Sequence, residues 1–376
     1  MRIPSLPRAS PAVILSFATL HQLLVAGIIF GWANLVPVLQ DQRIFIDRCS
    51  DAERAAYLAD ANKPCSAALV SLNLAVTTGF SAVSFSSVLF GPLQDYFSVF
   101  YARCLACVLS AAGVVCFAFA PSHPDLLLVA ALLVGAGGGG IQLTGFSVGQ
   151  LFRSSQGLAT SLIAASFSVS SLVFLVFNKL YFSFGVSYHS LFFPYLALVI
   201  FVLCTSYMWP HKFSVSNAAA AGEKVLPVGD SLQETLLSPS PVDELAQPPV
   251  VSDAMLQLRL RGPRNVELHR FGWKQQAISV EFITLVAIIS VQSLASNIFV
   301  SNYSLLAKEL TSDASQLSMA STAFSVLFPL CSITTPAIGV IMDRAMLHTV
   351  IAFVVTLGIA WQALVFIPDI NWQILT

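Results

Sequence analysis

The chain has 376 residues, of which 56% are hydrophobic and only 10% are charged, and its mean hydropathy is +0.79. A soluble domain carries about 25% charged residues, so this composition excludes an ordinary soluble protein and predicts an all-α integral membrane protein. The formal net charge of −1 gives no basic surface for nucleic acid, and the predicted partner is the lipid bilayer.

The apolar runs predict the helices that cross the membrane, each of which needs about 20 apolar residues. The first run is too long for the apolar core of a signal peptide, so we interpret it as a retained spanning helix. Nine runs qualify, six before a polar insert and three after it: approximately 12–38, 67–90, 102–120, 125–149, 156–178, 186–208, 277–300, 316–341 and 347–367.

The polar insert divides the chain into three parts: a six-helix half at 1–210, a cytosolic loop at 211–275 and a partial second half at 276–376. The insert is rich in Ser, Ala, Pro and Glu, a composition that cannot bury a core and predicts disorder. Basic residues at its end, from Arg259 to Lys274, favour the cytosolic face. The predicted protein is multi-pass with a cytosolic N-terminus, in the plasma membrane or, alternatively, in an organelle membrane.

Two features belong to the predicted outer face. Cys49 and Cys65 flank an acidic loop, and they would form a disulfide if that loop faces an oxidising compartment. Asn302-Tyr303-Ser304 is a glycosylation sequon close to the membrane, which makes Asn302 a candidate for modification.

A short motif occurs once in each half of the chain. Gly91-Pro92-Leu93-Gln94-Asp95 recurs in outline 248 positions later as Gly339-Val340-Ile341-Met342-Asp343. Duplication of a helical unit is how many secondary transporters are built.

The motif carboxylates predict a cytosolic gate. Asp95 would pair with Arg103 and with the positive N-terminal end of a neighbouring helix. Asp343 and Arg344 would act in the same way against the helix that starts near Ser155. The predicted gating set is Gly91, Asp95, Arg103, Gly339, Asp343 and Arg344, and the alternative is a pair of solvated loop acids.

Polar residues inside the apolar runs are candidates for substrate binding. An ionisable group in the membrane is costly and usually faces a cavity, so His21 is a candidate contact for substrate or proton, with a packed histidine as the alternative. The other candidates are neutral and suit an uncharged or zwitterionic solute: Gln22, Asn34, Gln142, Thr144, Gln292 and Asn297.

The glycine-rich run Gly137–Gly140 lies inside a spanning helix and lacks the Gly-Lys-Ser/Thr that ends a phosphate loop. It predicts close backbone contact with a neighbouring helix, as does the four-residue spacing of Gly27 and Gly31. Because no paired acids, metal-spaced histidines or nucleophile–base set is present, we predict no enzyme activity, no cofactor and no metal site.

Several strings together resemble a known family: Leu20-His21-Gln22-Leu23-Leu24, Phe30-Gly31-Trp32-Ala33-Asn34-Leu35-Val36, Gly137–Gly140 with Ile141-Gln142-Leu143-Thr144, Trp209-Pro210 and Gly339–Arg344. They resemble the sodium-independent L-type large neutral amino acid transporters of the major facilitator superfamily. The resemblance implies two six-helix halves that rock around a central site and carry branched-chain or aromatic amino acids. It also leaves purine nucleobases open, because a related class carries them, while His21-Gln22 departs from the family's acidic residue and asparagine.

The second half holds three apolar runs where the duplication predicts six, so the chain is expected to stop as its tenth helix starts. The missing helices leave a non-transporting membrane protein as a further alternative, and His21 leaves a proton-coupled carrier open. The sequence predicts no oligomeric state.

Overall fold

The computed structural model describes residues 10–59, 65–152, 154–209, 278–310, 330–345 and 347–365, with single positions between 311 and 329. Every regular element in these ranges is a helix. The chain divides into two compact units, Met1–Phe213 with Ser304–Thr376, and Ser214–Tyr303. The predicted cytosolic loop at 211–275 lies outside the described residues.

We number the α-helices in chain order. They are α1 Pro11–His21, α2 Trp32–Asp41, α3 Asp51–Ala59, α4 Ser66–Tyr96, α5 Val99–Phe119, α6 Leu126–Phe146, α7 Gln156–Val169, α8 Leu172–Phe184, α9 Tyr188–Thr205, α10 Val280–Leu310, α11 Thr335–Arg344 and α12 Leu347–Val365.

The first half contains the six predicted spans. Among the described residues, five helices are long and apolar enough to cross a membrane, and a bent pair, Pro11–Ala26 with Ile28–Asp41, makes a sixth. Shorter apolar helices, Phe282–Ser296 and Thr349–Leu364, lie where the seventh and ninth runs are predicted. Part of the eighth run, 316–341, lies outside the described residues. The prediction of an all-α membrane bundle is confirmed.

The first span is broken rather than straight. After α1 the chain forms a π-helical turn at Gln22–Ala26, then a 3-10 turn at Ile28–Gly31, and the two arms meet at 43°. Apolar composition is the same for a straight and a bent span, so the sequence predicts one continuous helix here. Tight packing at Gly27 and Gly31 accompanies the break.

Small residues set the spacing between the helices. A Cβ added at Gly27 would lie 2.1 Å from the carbonyl oxygen of Phe167, and one at Gly31 would lie 2.0 Å from that of Ser171. In α6, a Cβ at Gly138 would lie 2.0 Å from the carbonyl oxygen of Ala26. The glycines therefore permit backbone contact that any side chain would prevent, as the sequence predicts.

Helix ends follow local signals. Ser98 and Ser187 cap α5 and α9 by accepting backbone N–H groups three residues later, and Gly185 ends α8 with a left-handed φ of 64°.

Because the spans alternate in direction, the Cys49–Cys65 loop lies at one end of the bundle, which we call the disulfide end. Asp95 and the start of α7 lie at the other, which we call the Asp95 end.

Candidate functional site

At the Asp95 end, Asp343 of α11 caps the start of α7. Its Oδ1 accepts the backbone N–H of Gly157 at 2.6 Å, and its Oδ2 accepts that of Leu158 at 3.0 Å. A carboxylate at a helix N-terminus satisfies free N–H groups and interacts favourably with the helix dipole. The sequence places the partner of Asp343 at this helix start, beside Ser155.

Two glycines make this contact close. A Cβ at Gly339 would lie 2.0 Å from Ser161 Oγ, and a Cβ at Gly157 would lie 2.6 Å from the carbonyl oxygen of Gly339. The backbones of α7 and α11 therefore meet directly. Arg344, next to Asp343, is exposed.

The first copy of the motif differs from its prediction. Gly91 lies within α4, which continues to Tyr96, so it does not form a helix exit. Asp95 is exposed, and neither ion pair in the described residues joins it to Arg103. The predicted Asp95–Arg103 pair is therefore not formed in this conformation, because the Arg103 side chain runs into the bundle instead.

Arg103 is fully buried at the centre of a polar cluster that we call the arginine hub: His21, Arg103, Thr144, Thr205, Ser206 and Trp209. The guanidinium contacts His21 Nδ1 at 2.6 Å and donates to Ser206 Oγ at 3.0 Å. It also lies over the Trp209 ring, with Cζ 3.9 Å from the ring centre. The hub joins the first, third, fourth and sixth spans.

Three of the substrate candidates are therefore packed within the bundle. His21, Gln22 and Thr144 are each 0% exposed, and Thr144 accepts from Arg103. The Gln22 amide donates to the carbonyl oxygen of Ile141 at 2.9 Å. His21 is packed in this conformation, which is the alternative that the sequence left open, and its partner Arg103 lies 82 residues away and cannot be recognised from the local sequence.

The other candidates are more accessible. Asn34, on α2, is half-buried, and its backbone carbonyl accepts from the Asn178 amide at 2.8 Å. Gln142 is half-buried on α6, and Gln292 is half-buried on α10. The backbone of Asn297 lies in the same helix as Gln292, in the unit Ser214–Tyr303, and its side chain is outside the described part of the structure.

An aromatic cluster lies beside the break in the first span. Phe30 stacks on Phe80, with ring centres 5.0 Å apart, and meets Phe167 edge-on at 5.4 Å. Phe30 and Phe80 are half-buried and Phe167 is buried. No local signal in the sequence marks these rings, because phenylalanine is common throughout the spans.

A covalent bond closes the loop at the disulfide end. Cys49 and Cys65 form a disulfide across α3. Arg48 joins Asp125 at 2.7 Å and Ser71 Oγ at 2.9 Å, which ties the loop to two further spans. Burial raises the pKa of the Tyr57 phenol, which stays protonated and donates to the Gln40 carbonyl at 3.1 Å.

Two further predictions concern sites of modification and metal binding. Asn302 lies within α10, whereas an accessible sequon is expected in a surface loop. Across the described residues, no group of three or more His, Cys, Asp or Glu side chains is arranged to hold a metal ion.

Comparison with known proteins shows the family to which the chain belongs. The model of the Major Facilitator Superfamily matches residues 23–376, and the chain belongs to this family of membrane transporters. With its apolar helices, it is therefore a multi-pass membrane protein of this family.

Within that family, the chain is similar to equilibrative nucleobase transporter 1 from Bos taurus, with 27% identity over 157 residues. The matched segment covers 42% of this chain and 32% of that relative, so the chain spans well under two thirds of the relative's length.

Proposed function

We propose that this protein is a facilitative carrier of uncharged nucleobases that works by alternating access without a cofactor. The observation that carries the proposal is the neutral character of the polar groups available to a solute in the described spans. Arg103 is buried and engaged in the hub, Asp41 and Asp95 lie at the ends of helices, and Lys179 is exposed near the end of α8. The similarity to a nucleobase transporter supports the same substrate class.

A nucleobase suits the groups around the break in the first span. It is planar and uncharged, it stacks on aromatic rings, and its edges pair with amide side chains. Phe30 with Phe80 supplies ring surface, and Asn34, one helical turn from Phe30, supplies an amide. We propose Asn34, Gln142, Gln292 and Asn297 as the substrate-binding candidates, with the buried His21, Gln22 and Thr144 supporting them.

The contact between Asp343 and the start of α7 is proposed as a gate. Asp343 is joined by two hydrogen bonds to Gly157 and Leu158, which lie 186 and 185 positions earlier in the chain. Gly157 and Gly339 also approach each other closely. Such a contact can open and close as a unit, because either arrangement leaves the helices intact. We assign this end to the cytosol, with the disulfide end outside and the plasma membrane as the proposed location. Gly91, Asp95 and Arg344 complete the proposed gate region.

Neutral amino acids are the second candidate. The strings around Phe30–Val36 and the Trp209 exit resemble the L-type amino acid transporters, and neutral polar groups can also bind a zwitterion. A branched-chain or aromatic amino acid would need donors for its carboxylate and acceptors for its ammonium. Asn34 and Gln142 offer both kinds of group.

Uptake of radiolabelled adenine and leucine, measured side by side, separates the two candidates. Cells would express this chain, and the amount of protein at the surface would be quantified. We expect saturable adenine uptake that is unchanged when sodium is replaced. Leucine uptake without adenine uptake would support the second candidate. No uptake of either, with the protein at the surface, would contradict the proposed function and favour a non-transporting protein.

A further inference from the structure

Arg103 is a buried cation without a carboxylate partner among the described residues. Its side chain is 0% exposed, and the two ion pairs in the described residues join other groups. Neutral acceptors surround it instead: Ser206 Oγ, Thr144 Oγ1, the Ile141 carbonyl and His21 Nδ1. A buried charge is stable only while such partners remain in place, so the hub depends on each acceptor.

The direction of the hydrogen bonds fixes the state of His21. A guanidinium only donates, so His21 Nδ1, 2.6 Å from Arg103, must accept, and the proton must lie on Nε2. Nε2 then donates to Thr205 Oγ1 at 2.7 Å, while that hydroxyl donates to the Phe201 carbonyl. A second proton on the ring would remove the acceptor and bring two cations together. This packing and a protonated His21 therefore exclude each other.

The hub is attached to the break in the first span. His21 is the last residue of α1, and the π-helical turn Gln22–Ala26 begins at the next residue. The Ile141 carbonyl accepts from both Gln22 and Arg103, so hub and turn share one acceptor. Beyond the turn, the Gly27 N–H donates to Ser170 Oγ at 2.8 Å. A π-helical turn inside an α-helix frequently marks a functional site.

We propose that His21 and Arg103 are positioning residues for transport, which hold the π-helical turn in place only while His21 is neutral. Protonation of His21 opens the hub, loosens the turn and lowers transport. Histidine titrates close to neutral pH once it is freed from such packing, so each pH unit below that value favours the opened hub by about tenfold. Among the described residues, the other titratable groups that face the hub are the Cys104 and Cys107 thiols of α5, which stay uncharged in this range.

The discriminating variant is His21→Gln. Its amide oxygen can accept from Arg103 and its amide N–H can donate to Thr205, but it cannot take up a proton in this range. Purified protein in liposomes would be assayed for uptake from pH 5.5 to 7.5, with the same buffer on both sides. We expect wild-type uptake to fall about fivefold at the acid limit and the variant to keep a flat profile. His123→Gln, at an exposed histidine between α5 and α6, should keep the wild-type profile.

A wild-type profile that is flat, or a His21→Gln profile that falls like the wild type, would overturn the proposal. For the uptake assay, the inference rests on the proposed transport function. Thermal unfolding of the purified protein, without substrate, tests the hub separately. The wild type should lose thermal stability between pH 7.5 and 5.5, and His21→Gln should not. Loss in both would contradict the role of His21, whatever the substrate proves to be.

Discussion

Replacing Asp343 with asparagine is expected to lower uptake about tenfold while the protein still reaches the surface. Asp343 accepts two N–H groups at the start of α7, and a carboxylate there also interacts with the helix dipole. Asparagine keeps one acceptor oxygen and no charge. The loss is about 2 kcal/mol from the closed contact, enough to shift a two-state equilibrium strongly. The measurement is initial uptake rate normalised to surface protein.

Asp125→Asn is the matched control for the loss of one negative charge. Asp125 pairs with Arg48 at the disulfide end, where its side chain is 89% exposed. An exposed pair contributes between about 0 and 1 kcal/mol, so this variant should transport nearly as the wild type does. Uptake by Asp343→Asn that equals uptake by Asp125→Asn would contradict the proposed gate.

Gly138→Ala is expected to reduce both surface level and thermal stability. Its Cβ would lie 2.0 Å from the carbonyl oxygen of Ala26, so α6 and the π-helical turn would have to separate. Overpacking of this kind typically costs about 1–3 kcal/mol, and backbone on the far side leaves no flexible atom to yield. The measurement is the unfolding temperature of the detergent-solubilised protein.

Gly91→Ala is the control for the same substitution without a clash. Gly91 lies inside α4, and apart from its chain neighbours and the backbone of its own helix, no heavy atom lies within 4 Å of the position of its Cβ. Alanine in a helix interior is favoured over glycine by about 1 kcal/mol, and the ring of the next residue, Pro92, crowds a preceding Cβ and offsets part of this gain. This variant should therefore unfold close to the wild-type temperature. Equal unfolding temperatures for Gly138→Ala and Gly91→Ala would show that the close approach of α6 does not limit stability.

Apolar length and small-residue spacing were enough to predict the six spans and the glycine contacts. The Cys49–Cys65 pair also lies where the sequence places it, since flanking a single loop brings the two thiols together. The short helix α3 was missed although its signal is present. Ser50 Oγ lies 2.7 Å from Glu53 Oε2, and a serine followed by a glutamate three residues later marks a helix start.

The interior polar contacts could not be predicted. The sequence shows His21 and Arg103 as separate residues, and it does not show that both point into the same bundle. A long arginine at a helix start is compatible with a loop carboxylate or with burial, and only the packing of α5 against α6 and α9 decides between them. The break at Gly27 is hidden for a similar reason, because it lies where Gly27 packs against Phe167 and Ala26 packs against Gly138, both distant in sequence.

Counterflow of adenine tests the central claim most directly. Liposomes containing the protein would be preloaded with unlabelled adenine and diluted into a trace of radiolabelled adenine, with protein-free and leucine-loaded liposomes as controls. A carrier whose single site faces each side in turn predicts transient accumulation of label above the external concentration, only after adenine loading. Label that enters no faster than in protein-free liposomes, or that equilibrates without overshoot, would contradict an alternating-access nucleobase carrier.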